Sequence, residues 1–326
     1  ITTFIGEIDS IQSLSLTSID NGYTRPIIKP NSTKSNDDQQ TISYLQVKNI
    51  RHPIIEQIKC DTPYIANDVE MNASGILLFG VNAVGKSSLM KSIGINIIMA
   101  QAGFFVAASE FIYYPYQYLF TRIKNNDNLY AGLSSFEVEM KEFKVILQYA
   151  NCNSIILGDE LCSGTETLDA TALVTSGIIQ LSRRKSSFIF ATHLHFLTDN
   201  PYLKKLDNIR FCHLLVERDS KNPHKLVYSR KIQEGSGPTS YGILVCESMN
   251  LDNTFVTLAK EIRESMTLGG NKSSNILGKP LNEIEGSKYN KKKIVVNCEV
   301  CNNGTFSEDV HHINQQCMAD NNDIID

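Results

Sequence analysis

The segment Gly80–Ser88, GVNAVGKSS, constrains the fold of this chain more than any other, because it directly follows the apolar run GILLF. Its spacing, G-x-x-x-x-G-K-S, is typical of a turn that binds phosphate. Gly80 and Gly85 allow the backbone to curl so that successive N–H groups point inward. Lys86 brings a positive charge, and Ser87 offers a hydroxyl suited to a magnesium ion. The motif therefore predicts a strand before the turn and a helix after it, whose N-terminal dipole also favours phosphate.

Two further motifs end apolar runs downstream of this turn. SIILGDE ends in Asp159 and Glu160, and FATHLH contains Thr192 and His193. In nucleotide hydrolases the first acid holds magnesium, and the second can orient and deprotonate the attacking water. Thr192 and His193 would lie at the carboxyl edge of the sheet, where α/β proteins form ligand sites, so we predict that His193 senses or polarises a terminal phosphate. Each motif alone also fits a solvated strand end or a structural histidine, but their combination favours function.

The pattern of apolar runs predicts the fold class. Strands are expected at Ile76–Phe79, Ser154–Leu157 and Ser187–Ala191, and helices are expected after the phosphate turn, around Phe136–Gln148 and around Leu168–Leu181. This alternation indicates an α/β fold, a mostly parallel sheet covered by helices. A hydrophobic content of 42% is sufficient for a packed core.

Composition narrows the function classes. A net charge of −4 and a pI near 6.0 give no global sign of a nucleic-acid binder, so DNA contacts would need local patches or missing segments. Eight cysteines in a chain of this length indicate reduced, intracellular thiols. The apolar region from Ile93 to Ala108 contains Asn96, Gln101 and Gly103, which favours a buried helix over a membrane span. The first residue is Ile1 and not methionine, which suggests a fragment.

From about Tyr64 to Tyr241 the chain resembles the ATPase domain of the MutS mismatch-repair family, within the larger ABC ATPase superfamily. The segments that carry the resemblance, in family order, are YIANDV, GVNAVGKSS, TRIKNNDNLYAGLSSFEVEM, ILGDELCSGTETLDA, FATHLHFL, NIRFCHL and SYGI. The resemblance implies a P-loop NTPase fold with a mixed sheet flanked by helices, and hydrolysis of ATP with Mg²⁺ as cofactor. It also implies a homodimer or a MutS-like heterodimer with composite sites, acting on mismatched double-stranded DNA through domains missing from this chain, with no membrane partner.

The resemblance also assigns roles to single residues. Tyr64 matches the aromatic position that stacks on adenine, and Asn82 matches the loop asparagine. Ser134 matches the serine that reaches the terminal phosphate of ATP on the partner subunit, and His213 matches a position near the adenine. The predicted nucleotide-binding residues are Tyr64, Gly80, Asn82, Gly85, Lys86, Ser87, Ser88, Ser134 and His213. The predicted catalytic residues are Glu160, His193 and Lys86, and the predicted magnesium ligands are Ser87 and Asp159.

One residue departs from the family pattern. The run DELCSGT has Ser163 where the family commonly has an arginine. Loss of the guanidinium removes a bidentate partner for phosphate or carboxylate, so nucleotide binding is better supported than coupling between sites or the rate of hydrolysis.

The last segment, VNCEVCNNGTFSEDVHHINQ, resembles the first half of an HNH nuclease, in which a zinc knuckle braces a ββα-metal site. By this resemblance Cys298 and Cys301 would be two of four Zn²⁺ ligands. His311 would occupy the catalytic-metal position, and His312 would be the general base. The other half of the motif is absent, so we expect no nuclease activity from this chain. A chance pair of cysteines and histidines in a polar tail is the alternative. MutS proteins with such a tail form a subfamily known from giant viruses and octocoral mitochondria, and by resemblance this chain is expected to belong to it.

Four regions are therefore predicted. They are a remnant of a preceding lever or core domain with a loop (1–40), a MutS-type ATPase domain (41–266), a linker (267–293) and a partial HNH-like segment (294–326). The predicted function is an ATP-binding and ATP-hydrolysing module that couples nucleotide state to DNA binding. Two alternatives are another ABC-type ATPase, although SSFEVEM fits MutS better than an LSGGQ-type signature, and a nuclease whose ATPase part only dimerises it. A third is a monomer that only binds nucleotide.

Overall fold

The computed structural model describes residues 2–30, 41–58, 63–81, 84–123, 135–218, 226–238, 241–249 and 251–267. The chain divides into two units, residues 1–256 and 257–326. Within the second unit the described residues, 257–267, are helical.

Helices and strands alternate along most of the described chain. In chain order they are α1 (Thr2–Asp20), β1 (Ile27–Ile28), β2 (Tyr44–Ile50), a 3₁₀ turn (Ile55–Gln57), β3 (Asn67–Asn72), β4 (Gly75–Phe79), α2 (Lys86–Gln101), β5 (Glu110–Tyr114), β6 (Tyr118–Arg122), α3 (Ser135–Tyr149), β7 (Ser154–Asp159), α4 (Thr167–Arg183), β8 (Ser187–Thr192), α5 (Phe196–Asp199), β9 (Ile209–Arg218), β10 (Leu226–Glu234), α6 (Tyr241–Ser248) and α7 (Asn253–Thr267). The three strands and three helices expected from the apolar runs are confirmed as β4, β7 and β8 and as α2, α3 and α4.

A six-stranded sheet carries the sequence motifs. Its strand order is β10-β9-β4-β8-β7-β6, and every neighbouring pair is parallel except β10 with β9. Phe79 at the end of β4 is in register with Thr192 of β8, and Asp159 at the end of β7 is in register with Ala191. The carboxyl ends of these three parallel strands therefore lie side by side, and the predicted mixed α/β sheet flanked by helices is confirmed.

This sheet is buried on both faces. Ile76 and Leu78 of β4 belong to a core shared with α2, whereas Leu77 and Phe79 belong to a core shared with α3 and α4. Alternate residues of one strand thus enter different cores, which explains why these strands are uniformly apolar in sequence.

The structure contains a second, four-stranded sheet, which the sequence did not predict as a separate layer. Its order is β1-β5-β2-β3, and its inner face packs into the core that contains α2. β1 pairs in parallel with β5, with Ile27 in register with Ile112, so a strand that precedes the predicted boundary at residue 40 belongs to this sheet.

The apolar region from Ile93 to Ala108 is only partly helical. α2 ends at Gln101, and Gly103 follows with φ of 86°, a left-handed conformation that ends the helix at low steric cost. Val106, Ala107 and Ala108 are buried beyond this turn. Among the helices of the described ranges, none combines the length and the apolar character that crossing a bilayer requires.

Candidate functional site

The turn between β4 and α2 has the backbone that its glycines predict. Gly80 has φ of 149° and Gly85 has φ of 111°, and both values favour glycine. A Cβ atom at Gly80 would lie 3.0 Å from Cγ1 of Val84. Gly85 is the N-cap of α2, and its carbonyl accepts the N–H of Leu89 at 3.0 Å. The N-terminus of α2 is therefore presented at the carboxyl edge of the sheet.

Lys86 is the first residue of α2 and is only 5% exposed. Its Nζ donates hydrogen bonds to the carbonyl oxygens of Gly80 at 2.6 Å and Val81 at 3.0 Å. Burial lowers the pKa of Lys86, and the carboxylates of Glu160 and Asp159 oppose that shift. A buried ammonium is costly unless it is paired. The two carbonyls accept hydrogen bonds from two of the three N–H groups of the ammonium, and an anion at the turn could accept from the third.

Two oxygen ligands lie beside this lysine. Ser87 Oγ donates a hydrogen bond to Oδ2 of Asp159 at 2.5 Å, joining the first turn of α2 to the end of β7. Mg²⁺ prefers oxygen ligands, and it usually takes one or two carboxylates from the protein together with phosphate oxygens and water. A hydroxyl and a carboxylate in contact fit that ion. Within the described ranges no group of three or more His, Cys, Asp or Glu side chains could hold a metal.

Glu160 and His193 form the third part of the site. The N–H of Glu160 donates to the Ala191 carbonyl at 2.9 Å, which places its side chain beside the residue that follows β8. Oε1 of Glu160 lies 2.9 Å from Nε2 of His193, and the same Nε2 lies 3.4 Å from Nζ of Lys86. Burial lowers the pKa of His193, and the charge of Lys86 lowers it further, whereas Glu160 and Asp159 raise it. We therefore assign a neutral imidazole at pH 7 whose Nε2–H donates to the carboxylate.

The charges around His193 predict how its pKa responds to substitution. An NMR titration should place the midpoint of His193 below its ordinary value of 6.5. Lys86→Met should raise that midpoint because a nearby positive charge is lost, and Glu160→Gln should lower it because a negative charge is lost. His52 is the internal control. Its pKa is lowered by burial and by Lys91, and not by Lys86 or Glu160, so its midpoint should stay the same in both variants. A midpoint of His193 that is unchanged in both variants would contradict the geometry described above.

A small cavity lies next to Gly85 and the start of α2. It has a volume of about 60 Å³ and is lined by Ile55, Tyr64, Ile65, Asn67, Gly85, Ser88, Leu89, Leu214 and Arg230. Burial raises the pKa of the Tyr64 hydroxyl, which is therefore neutral, and its ring can serve as an apolar wall. Tyr64 and Ser88 therefore line the same cavity as Gly85 of the turn, and their roles in nucleotide binding stay predictions.

His213 does not line this cavity. It is buried, and its Nδ1 lies 3.0 Å from the carbonyl oxygen of Gly235. Leu214, the next residue of β9, does line the cavity, and consecutive residues of a strand point to opposite faces. The role of His213 near the base stays a prediction.

The sequence did not predict two polar side chains of this cavity, those of Asn67 and Arg230. Asn67 is buried, and its Nδ2 donates to the Arg230 carbonyl at 3.0 Å while its Oδ1 accepts the N–H of Ile232 at 2.8 Å. These bonds hold an irregularity of β10 where Arg230 has φ of 56°. Asn67 lies in the quoted motif YIANDV, which was a usable signal, but nothing local marks Arg230.

Several predicted site residues lie outside the described ranges. They are Asn82, Ser134, Cys298, Cys301, His311 and His312. Their proposed roles, including Zn²⁺ binding and an HNH-like tail, stay predictions. Ser163 is described and exposed, and its N–H donates to the Glu160 carbonyl at 3.3 Å, so an arginine at this position would project outward from the turn.

Different comparisons with known proteins agree with one another. The family model described as MutS domain V matches residues 76–267. The chain is 38% identical over 316 residues to a mitochondrial DNA mismatch repair protein MutS homolog of Sarcophyton glaucum, covering 96% of this chain and 30% of the relative. It is 35% identical over 365 residues to a putative DNA mismatch repair protein MutS homolog of Acanthamoeba polyphaga mimivirus, covering 98% and 31%. It is 34% identical over 276 residues to the DNA mismatch repair protein MutS of Prochlorococcus marinus, covering 83% and 29%.

Two of these relatives come from the kinds of organism that the sequence resemblance indicated. An octocoral mitochondrial homolog and a giant-virus homolog are both among them, which confirms that expectation. The chain spans about 30% of the length of these curated relatives.

Proposed function

Since the chain belongs to the MutS family, we propose that it is the ATP-binding and ATP-hydrolysing module of a DNA mismatch-repair protein. One observation carries the proposal. Lys86, the Ser87–Asp159 pair and the Glu160–His193 pair meet where the parallel strands β4, β7 and β8 end. This edge is where α/β sheets bind ligands, and the three sets of groups match the needs of phosphoryl transfer.

The phosphate turn binds the nucleotide. Backbone N–H groups at the N-terminus of α2 and the buried Lys86 ammonium supply positive potential at the turn, which favours phosphate. When ATP binds, we assign the remaining donor of Lys86 to a phosphate oxygen, while the carbonyls of Gly80 and Val81 keep the ammonium in place. The ring of Tyr64, which lines the cavity, is the proposed stacking surface for the base.

Ser87 and Asp159 would hold Mg²⁺ through their oxygen atoms. When bound, this ion neutralises phosphate charge and so favours attack on the terminal phosphorus. In the described structure the two side chains already contact each other across α2 and β7, so little reorganisation of the protein is needed to present both oxygens.

Glu160 is the proposed general base. Its carboxylate would accept a proton from the attacking water, and the Nε2–H of His193 would keep the carboxylate oriented. Because Nε2 also lies 3.4 Å from Nζ of Lys86, the histidine occupies the space between the base and the phosphate-binding cation. Positioning and charge stabilisation account for most of the catalysis of phosphoryl transfer, so these side chains supply the main requirements.

We propose that the active form is a homodimer or MutS-like heterodimer in which Ser134 of one subunit completes the site of the other. Nucleotide state would then be coupled to binding of mismatched DNA by parts of the protein outside this chain. The support is the resemblance of GLSSFEVEM to the family motif and the exposure of the site edge, where the His193 side chain is 40% exposed.

Concentration dependence of the ATPase activity tests this assembly. The specific activity of the full-length protein with Mg·ATP is expected to rise with protein concentration and to level off where light scattering reports a dimer. The Ser134→Ala variant should bind ATP but show reduced turnover at saturating protein concentration. A specific activity that is constant while light scattering reports only monomer would contradict the composite site, and failure to bind Mg·ATP would contradict the ATPase proposal itself.

A further inference from the structure

A buried carboxylate of α3 contacts the turn that carries Glu160. Glu139 is 5% exposed, and its Oε1 accepts the backbone N–H of Cys162 at 2.7 Å in a buried environment. This bond joins residues that are 23 positions apart in sequence. The proposed mechanism uses neither residue, so the burial of a charged side chain at this point requires an explanation.

The turn contacted by Glu139 has an unusual backbone. Glu160 has φ of 49° and Cys162 has φ of 61°, and both are residues with side chains in the left-handed region. Such conformations persist only when the surroundings hold them. The other backbone bonds within the turn are long, since Ser163 N–H donates to the Glu160 carbonyl at 3.3 Å and Thr165 N–H donates to the Cys162 carbonyl at 3.4 Å. The bond from Cys162 N–H to Glu139, at 2.7 Å, is shorter than both of these, and the bond from Glu160 N–H to the Ala191 carbonyl, at 2.9 Å, holds the start of the turn.

Packing adds a second contact between α3 and this turn. A Cβ atom placed on Gly164 would lie 3.3 Å from Cβ of Phe136, closer than most such contacts. Phe136 is in the first turn of α3, and Glu139 follows one helical turn later. The first two turns of α3 therefore hold the segment from Cys162 to Gly164 by a hydrogen bond and by close packing.

We propose that Glu139 is a positioning residue, which fixes the backbone turn from which the Glu160 carboxylate reaches the reacting water. The proposal rests on the function proposed above. It makes the N-terminal half of α3 the element that sets the orientation of the general base, so a displacement of this helix end would change turnover without changing the phosphate turn. A small displacement of a catalytic group is enough to lower the rate substantially.

Four variants of the full-length protein test this role by separating turnover from binding. Glu139→Ala removes the acceptor and should lower kcat by about tenfold to hundredfold, while the Kd for ATP should change by no more than about twofold. Glu139→Gln keeps an acceptor oxygen and should restore most of kcat. Glu139→Asp retracts the carboxylate by one methylene and should give an intermediate kcat. Glu137→Gln is the matched control, because it removes an exposed carboxylate from the same helix and should leave both parameters unchanged.

The possible outcomes separate the two proposals. If the wild-type protein hydrolyses ATP and Glu160→Gln does not, the proposed function holds. A kcat of Glu139→Ala and Glu139→Asp equal to that of the wild type would then overturn the positioning role alone. The role would also be overturned if Glu139→Gln and Glu139→Ala lost kcat equally, because the hydrogen-bond acceptor would then not be the cause. If Glu139→Ala does not fold, the kcat of Glu139→Asp tests the positioning role in its place.

Discussion

Lys86→Met is expected to raise the Kd for Mg·ATP by about a hundredfold or more, because charge-assisted hydrogen bonds to phosphate are among the strongest in proteins. Turnover should become undetectable at ATP concentrations that saturate the wild type. Methionine keeps most of the volume of a side chain that is 5% exposed, so the substitution tests the charge and not the packing. The measurement is isothermal titration or fluorescence binding of nucleotide, followed by a phosphate-release assay.

Lys91→Met is the matched control for this substitution. Lys91 belongs to the same helix as Lys86 but is exposed, so the same change of chemistry is made outside the turn. Its Kd for ATP should equal that of the wild type. If Lys86→Met binds ATP as tightly as Lys91→Met does, the phosphate turn is not the nucleotide site.

Glu160→Gln should separate binding from chemistry. The amide keeps an oxygen that can accept from Nε2 of His193, so the local geometry is retained, but the residue can no longer take a proton. Removal of a general base typically lowers a rate by about 10²–10⁴-fold, and we expect kcat to fall within that range while the Kd for ATP stays near the wild-type value. A single-turnover assay checks that the chemical step itself is slowed.

Glu166→Gln is the matched control for the general base. Glu166 is an exposed carboxylate six residues further along and makes no side-chain capping bond to α4. The Glu166→Gln variant should hydrolyse ATP at the wild-type rate. Hydrolysis by Glu160→Gln at the rate of Glu166→Gln would show that another group removes the proton.

The local parts of the site could be predicted from sequence because each depends on few neighbouring residues. A glycine-containing turn between a strand and a helix follows from Gly80, Gly85 and the apolar run before them, and the structure confirms that context. Asp159 and His193 could be placed at one edge because both follow apolar runs that form parallel strands. The arrangement of strands then brings them together without further information.

The parts that were missed depend on contacts between distant segments. Arg230 lines the cavity from an irregularity of β10 whose backbone is bonded by Asn67, 163 residues earlier. Glu139 was visible in the motif SSFEVEM, but its bond to Cys162 could not be inferred from the spacing of either segment. The separate four-stranded sheet was missed because its strands pair antiparallel or at an edge, and alternating patterns such as YLQVKNI do not specify which strand they join.

The position of Asn67 affects how mutational scans of this protein should be interpreted. Its side chain forms part of the cavity wall, yet its amide oxygen and nitrogen are both engaged by the backbone of β10. A scan that scores only loss of nucleotide affinity would rank Asn67 with Tyr64, although under the proposed function the asparagine shapes the wall and the tyrosine contacts the base. Comparing ATP with inorganic triphosphate would not separate the two residues, whereas the melting temperature without nucleotide should fall for Asn67→Ala because two backbone groups of β10 lose their partners.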